Sequence, residues 1–249
     1  MDYRCIVRKN SFVKALLSNF LLILTPLVST SGCFVIKHQF KDTEGMSMKS
    51  KYNDDNVVYK TNRSFTFRSI LVSKGDTLIN EYSTLKVIPG HWFGQTKIKW
   101  KYQKAVNDTT SYNSEVSGLI ETPDNIWFHP PRNGNYALSE TMPFPDILIH
   151  AKNLNQKLSK GSFYIGSGWN DAIKGTYEQF YTYLGEEILN GAFGSLTTYK
   201  VRLESIKKDN PTRRAETIIN YSDSLGLVVM DGLGLEGDRF SLQLIAVNP

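Results

Sequence analysis

Apolar and polar residues alternate with a period of two over much of this chain, the signature of strands with one buried and one wet face. The pattern is cleanest over 95–104, where Thr96, Ile98, Trp100 and Tyr102 fall on one side and Lys97, Lys99 and Lys101 on the other. Residues 64–72 alternate around Phe65 and Phe67, Ser73-Lys74-Gly75-Asp76 reads as a turn, and 77–88 as the returning strand, interrupted by Pro89-Gly90. Further strands are predicted at 114–121, 125–129, 176–184, 196–205, 215–221, 226–230 and 239–247, separated by clusters of Gly, Asn, Asp and Pro. No stretch keeps a 3.6-residue apolar stripe beyond two turns; 151–160, with Leu154 and Leu158 four apart, is the best short helix. Many short strands at close spacing predict an all-β fold with minor α content, a curved antiparallel sheet or half-barrel in a single domain over 57–249.

The N-terminus departs from this pattern. Arg4, Arg8, Lys9 and Lys14 precede an apolar run from Ala15 to Val28, and the small residues Ser29 to Gly32 follow. This is the basic, apolar, small-residue order of a secretory signal peptide, and the run is shorter than the roughly 20 residues that a membrane-spanning helix needs. Thr30-Ser31-Gly32-Cys33 resembles the lipobox of bacterial lipoproteins, although Thr30 stands where leucine is commonest. The resemblance implies lipidation of Cys33, the only cysteine outside the signal; cleavage without lipid is the alternative. Acyl chains contribute about 0.8 kcal/mol per buried methylene, enough for two or three of them to hold a domain on a bilayer. The expected organisation is a signal peptide over 1–32, a lipidated cysteine and polar tether over 33–56, and the β domain beyond. The expected location is the bacterial cell envelope, lipid-anchored in the outer membrane, with the membrane itself as the first partner.

Composition sharpens this picture in one respect. The 249 residues are 41% hydrophobic and carry a formal charge of +5, but residues 1–32 hold four of the basic residues and one acidic one. The remainder has 25 basic against 23 acidic residues, a charge of +2, and so no electrostatic case for nucleic acid. The Lys97, Lys99, Lys101 stripe reads as a solvated strand face, with phosphate or anionic lipid as the alternative.

Motifs for catalysis are weak. Gly232-Leu233-Gly234-Leu235-Glu236-Gly237 has dinucleotide-binding spacing, but a strand rather than a helix follows, and twelve residues cannot place a ribose ligand about 20 positions on. These glycines read as a hairpin, with no nucleotide expected. His38, His91, His129 and His150 lie at no ligand spacing, so neither metal nor cofactor is expected. Gly166-Ser167-Gly168 lacks the nucleophile-elbow spacing, and the acid pairs Glu186-Glu187 and Asp54-Asp55 are adjacent, which on a strand sends them to opposite faces. The chain is not expected to be an enzyme.

The most individual stretch is Ile126-Trp127-Phe128-His129-Pro130-Pro131-Arg132, followed by Pro143-Phe144-Pro145. Proline fixes extended or turn backbone here, giving either a rigid corner over an open end of the sheet or the lip of a pocket formed by Trp127, Phe128, His129 and Arg132. These segments, with Trp169, Phe193-Gly194-Ser195-Leu196 and the closing strands from Tyr221, resemble a family of Bacteroidetes-type envelope lipoproteins over roughly 60–247. The resemblance implies an envelope location and no particular activity. At fold level the strand order is similar to the half-barrels of periplasmic lipoprotein carriers, which implies a concave apolar face, here with Trp100, Tyr102 and Tyr181, although no counterpart of the carriers' covering helices is evident. Two readings follow: a binder of an apolar or amphipathic ligand or of another envelope component, and a structural or adhesive module with a filled core. Asp76-Thr77-Leu78, Asp108-Thr109-Thr110 and Asp223-Ser224-Leu225 also resemble acceptor tripeptides for O-glycosylation in that bacterial group.

Overall fold

The computed structural model describes residues 56–106, 113–152, 156–166 and 169–249. The signal segment, Cys33 and the tether up to Asp55 lie outside these, as does Asp108-Thr109-Thr110. Twelve strands follow in order: β1 (Ser64–Ser73), β2 (Asp76–Trp92), β3 (Gln95–Gln103), β4 (Asn113–Glu121), β5 (Asn125–Phe128), β6 (Asp146–Leu148), β7 (Lys157–Ile165), β8 (Gly175–Gly191), β9 (Gly194–Lys207), β10 (Asn210–Ser222), β11 (Gly226–Leu233) and β12 (Arg239–Asn248). They form one antiparallel sheet, ordered β6-β5-β4-β3-β2-β1-β12-β11-β10-β9-β8-β7 and not closed into a barrel. The expected all-β curved sheet is the fold observed.

The edge strands explain the curvature. At about 4.8 Å per strand a flat twelve-stranded sheet would hold β6 and β7 roughly 50 Å apart. Yet they are consecutive in the chain, joined by residues 149–156, and the Lys160 ammonium of β7 is paired with the Asp146 carboxylate of β6. Tyr181 of β8 adds a hydrogen bond from its hydroxyl to the Leu148 carbonyl, 3.4 Å. The sheet therefore curls until its two edges meet through side chains.

The predicted helix over 151–160 is corrected by this seam. Ile149–Ala151 is a single 3₁₀ turn and Lys157 onward is strand, with Leu158 opposite Tyr181. Pairing with β8 overrides the four-residue leucine spacing that suggested a helix, and Leu154 lies outside the described residues.

The inner face carries the core. Phe65, Phe67, Leu85, Ile98, Trp100, Tyr102, Tyr181, Leu203 and Leu242 are all essentially inaccessible, as the alternation of burial along each strand requires. Between β5 and β6 the chain crosses this face as residues 129–145, with a 3₁₀ helix over Gly134–Thr141. Tyr136 is its anchor: the ring stacks on Tyr102 at 4.6 Å and meets Phe240 edge-on at 5.8 Å. Its hydroxyl donates to Glu81 Oε1 at 2.9 Å and lies 3.0 Å from Ser83 Oγ. Farther along, Thr217 of β10 donates to the Pro143 carbonyl at 2.8 Å. Met142 and Thr141 lie against Gly232 and Gly234, where a Cβ on Gly232 would collide with Met142 Sδ and one on Gly234 would approach Thr141 Oγ1 to 2.6 Å. The glycines of the apparent nucleotide motif are thus the seat of this crossing segment.

A second intrachain strap enters before β1. The Glu121 carboxylate accepts hydrogen bonds from three successive backbone amides, Val57, Val58 and Tyr59, at 2.8–2.9 Å. Tyr59 is fully buried beside Phe65 and Phe128, and its hydroxyl accepts from the Leu227 amide at 3.0 Å. Removing either anchoring ring leaves a core cavity, so Tyr59→Ala and Tyr136→Ala should each lower stability by about 3–5 kcal/mol. Urea unfolding followed by tryptophan fluorescence checks this; a loss within about 0.5 kcal/mol, as for a surface substitution, would show that the rings are not core elements.

Candidate functional site

The aromatic segment at the end of β5 splits between the two faces of the sheet. Phe128 lies opposite Leu119 and points into the core against Tyr59. Trp127 and His129, its neighbours in sequence, turn to the other face, as strand alternation dictates. The four residues read as a pocket lip therefore do not line one wall: Phe128 belongs to the core, while Trp127, His129 and Arg132 gather outside it.

Around His129 a cage forms. Its ring centroid lies 4.6 Å from Trp127, 5.1 Å from Phe144 and 5.4 Å from Trp92, each in an edge-to-face arrangement. Trp92 comes from the β2–β3 hairpin and Phe144 from the Pro-Phe-Pro segment before β6, so three distant pieces of chain meet here. Gly118 of β4 makes the approach possible: it is opposite Lys97 on the outer face, and a Cβ there would collide with the Gln95 amide and reach within 2.8 Å of Trp92. The Arg132 guanidinium stands 5.7 Å from the Trp92 ring and 3.7 Å from the Glu140 carboxylate, while its backbone amide donates to Glu115 at 2.8 Å.

His129 itself is 2% exposed, and neither ring nitrogen has a hydrogen-bond partner among the described residues. Burial, with the Arg132 charge in addition, pushes its pKa down to about 3, so the imidazole is neutral at physiological pH. Burial raises the Glu115 carboxyl, opposed by the Tyr102 hydroxyl that donates to it at 2.7 Å and by the Arg132 amide. Burial also raises Glu140, with Arg132 opposing. This is a desolvated aromatic cluster with a neutral histidine, built for packing and contact rather than proton transfer at neutral pH. Among the described residues no group of three His, Cys, Asp or Glu side chains is arranged to hold a metal ion.

The residues assigned to a concave apolar face, Trp100, Tyr102 and Tyr181, sit in the packed interior. Trp100 contacts Phe67 at 5.9 Å and donates its indole hydrogen to the His129 carbonyl at 3.0 Å. Tyr102 is covered by Tyr136, and Tyr181 closes the seam. Recesses form elsewhere. One beside the seam, lined by Trp127, Phe144, Asp146, Lys160 and Phe180 among others, has room of about 10 Å³, one water at most. An open depression of about 420 Å³ lies on the outer face across β1, β12, β11 and β10, walled by Ile70, Val72, Ile218 and Leu233 and edged by Glu216, Asp231 and Arg239.

Sequence reasoning singled out Trp127, His129 and Arg132 but missed Trp92, Gln95 and Gly118 as their neighbours. The one available signal was the aromatic pair Trp92-Phe93 after Pro89-Gly90, too bulky for an ordinary exposed turn. Two of the glycosylation-like tripeptides are described: 76–78 is the exposed first part of β2, and 223–225 is the β10–β11 turn.

The cage makes a pH prediction. With a folded pKa near 3 and an unfolded value near 6.5, the unfolded chain binds the additional proton, so the stability that neutral His129 provides is present above pH 6.5 and lost as pH falls towards 3. Replacing His129 by Phe should flatten urea-derived stability between pH 6.5 and 4 by up to about 1.4 kcal/mol per pH unit. An unchanged slope would place the imidazole in contact with water.

No family model matches the chain, and no curated protein matches it in sequence. Solved structures with a similar course of chain include a protein described as exported and of YmcC-like fold from Bacteroides fragilis, at 11% identity and TM-score 0.39, covering 77% of this chain and 98% of that one. A protein described as a lipoprotein from Parabacteroides distasonis is similar at 10% identity and TM-score 0.42, covering 77% and 97%. The hypothetical lipoprotein YmcC of Escherichia coli is similar at 13% identity and TM-score 0.39, covering 76% and 90%.

Proposed function

We propose that this chain is an exported envelope protein, anchored through acylated Cys33 in the outer membrane, whose β domain is a contact module rather than a lipid carrier. The supporting observation is the occupied concave face. The surface on which a half-barrel carrier would bury an acyl chain is covered by residues 129–145 of the same chain, locked by Tyr136 through two aromatic contacts and its hydrogen bond to Glu81. Displacing this segment for a ligand would break the Tyr136–Glu81 hydrogen bond, although Lys104 would still hold the carboxylate, and would uncover the buried rings of Tyr102 and Phe240, so it is unfavourable. Recognition is therefore assigned to the outer face, and the second of the two readings drawn from the sequence, a structural or adhesive module, is the one that this geometry favours.

Export and anchoring rest on the order of residues 1–33. In cells fed labelled palmitate, the wild-type chain should incorporate label and fractionate with membranes, and Cys33→Ala should do neither. Mass spectrometry of the membrane-extracted protein should then find the acyl groups on Cys33 and no additional lipid at one per chain. Label persisting in Cys33→Ala would overturn the anchor, and a stoichiometric second lipid would restore the carrier reading.

A further inference from the structure

The outer face of the sheet is electrically divided. On β1–β4 the outward positions, read from the strand register, include Arg68, Lys86, Lys97, Lys99 and Lys101, alongside Thr66, Tyr82, Thr84, Gln103, Ser114, Val116 and Gly118. None of these outward residues is acidic. Lys86 lies directly opposite Lys99, an adjacency of like charges that weakens a strand pair and has no fold-level benefit. None of the four lysines makes an ion pair with a described residue. On the β7–β10 side, by contrast, four cations have carboxylate partners, Lys157 with Glu204, Lys200 with Glu187, Arg202 with Glu216 and, in the β9–β10 turn, Lys208 with Glu178, while exposed Arg214 makes no ion pair among the described residues. A chain of charge +2 outside its signal thus gathers four unmatched lysines on the outer face of two neighbouring strands, β2 and β3.

The hairpin that carries these lysines ends in an unusual turn. Phe93 and Gly94 alone join β2 to β3, with φ of 48° and 79°, the left-handed pair of a type I′ turn. Asn or Asp normally fills the first position; a phenylalanine held there costs roughly 1–2 kcal/mol. That cost is not recovered by burial, because Phe93 is 76% exposed, the most exposed large hydrophobic residue described. Its ring leans on Trp92, which lies over Gly118 on the same outer face as the lysine stripe. The start of the described chain is close by: Asn56 donates to Thr96 Oγ1, one residue before Lys97, and Val57 beside it is 69% exposed.

We propose that the β2–β3 hairpin is a membrane-docking element, seating Lys86, Lys97, Lys99 and Lys101 on the headgroup phosphates of an anionic bilayer with Phe93 inserted among the headgroups. The inference extends the envelope reading, on which it relies for a membrane within reach. Cationic side chains at an anionic leaflet and an aromatic ring at the interface are the two contributions that hold a peripheral surface on lipid. The described chain begins at the same end of β3 as this hairpin, so the end of the domain nearest an anchor at Cys33 is the one that carries Phe93.

The test uses the processed chain from residue 33 with Cys33→Ala, which keeps every described residue of the fold. It is floated with vesicles of phosphatidylcholine alone and of two parts phosphatidylcholine to one part phosphatidylglycerol. Binding is expected to the anionic vesicles only and to decline with added salt. At about five-fold per lysine, changing Lys86, Lys97, Lys99 and Lys101 together to Gln should weaken it on the order of 100-fold or more. Phe93→Asn separates docking from folding, because asparagine suits the turn. It should raise the urea midpoint while weakening vesicle binding at least about ten-fold. Equal binding by the lysine variant, unchanged binding by Phe93→Asn, or retention on dextran sulfate without any vesicle binding would each overturn the proposal, the last in favour of a soluble polyanion. This chain has no acyl acceptor, so failure here leaves the anchor standing, and failure of palmitate labelling leaves the docking face standing.

Discussion

A sheet of twelve strands bent until its edges touch has to put something against its concave side, and that requirement governs the rest of this molecule. The bend is fixed at the seam, where β6 and β7 are neighbours in the chain and are tied by Lys160 and Asp146. Inner-face residues such as Phe67, Trp100 and Leu242 would otherwise border an open trough, and apolar surface left wet forfeits about 25 cal/mol for every Å² not buried. The chain supplies its own filling in residues 129–145 and in the strap ending at Tyr59. The filling and the tyrosines packed against it bring backbone groups and phenol hydroxyls into the interior, and each must find a partner. That accounts for the hydroxyls and carboxylates inside: Glu81 under Tyr136, Glu115 under Tyr102 and the Arg132 amide, and Thr217 under Pro143.

With the interior committed to structure, the proposed contacts with other molecules fall to the outer surface. There the chain is uneven. Matched ion pairs on the β7–β10 side contribute little individually at a wet surface. Unmatched lysines on β2 and β3 oppose the fold slightly, as does Phe93 in a left-handed turn. Small costs borne at one place on an otherwise consistent fold are the usual mark of a surface shaped for contact. The His129 cage stands beside this hairpin through Trp92, so it also stiffens the base from which Phe93 projects.

Strand positions were legible because burial and exposure alternate along them: 95–104 was read almost residue for residue, and β12 likewise. What escaped reading was set by distant partners. The three residues of β6 lie just beyond Met142-Pro143-Phe144-Pro145 and are strand only because β5 and the seam hold them. β7 imitates a helix through Leu154 and Leu158 until pairing with β8 decides the matter. β8 continues to Gly191, past the predicted end at 184, because β9 pairs with it throughout. In the aromatic segment, period-two alternation at Trp127, Phe128 and His129 predicts what the structure has, Phe128 facing the core and its neighbours facing away, so these residues cannot line one pocket lip. Trp92, in the β2–β3 hairpin, shares no local pattern with His129 and meets it only because Gly118 leaves room.

Residues 129–145 are a permanent part of the core and not a lid, and the assignment of contacts to the outer face depends on it. Tyr136 and Met142 donate their amides to Asn133 and Ser139, at 3.2 and 3.1 Å, beneath a fully packed face. Amide hydrogen exchange resolved across 133–143 measures this directly. If the segment is core, these amides exchange with the free energy of global unfolding, as slowly as those of β1 and β12. Exchange many orders of magnitude faster than in those strands would mean that the segment opens on its own, exposing the concave face to a ligand, and would contradict the account.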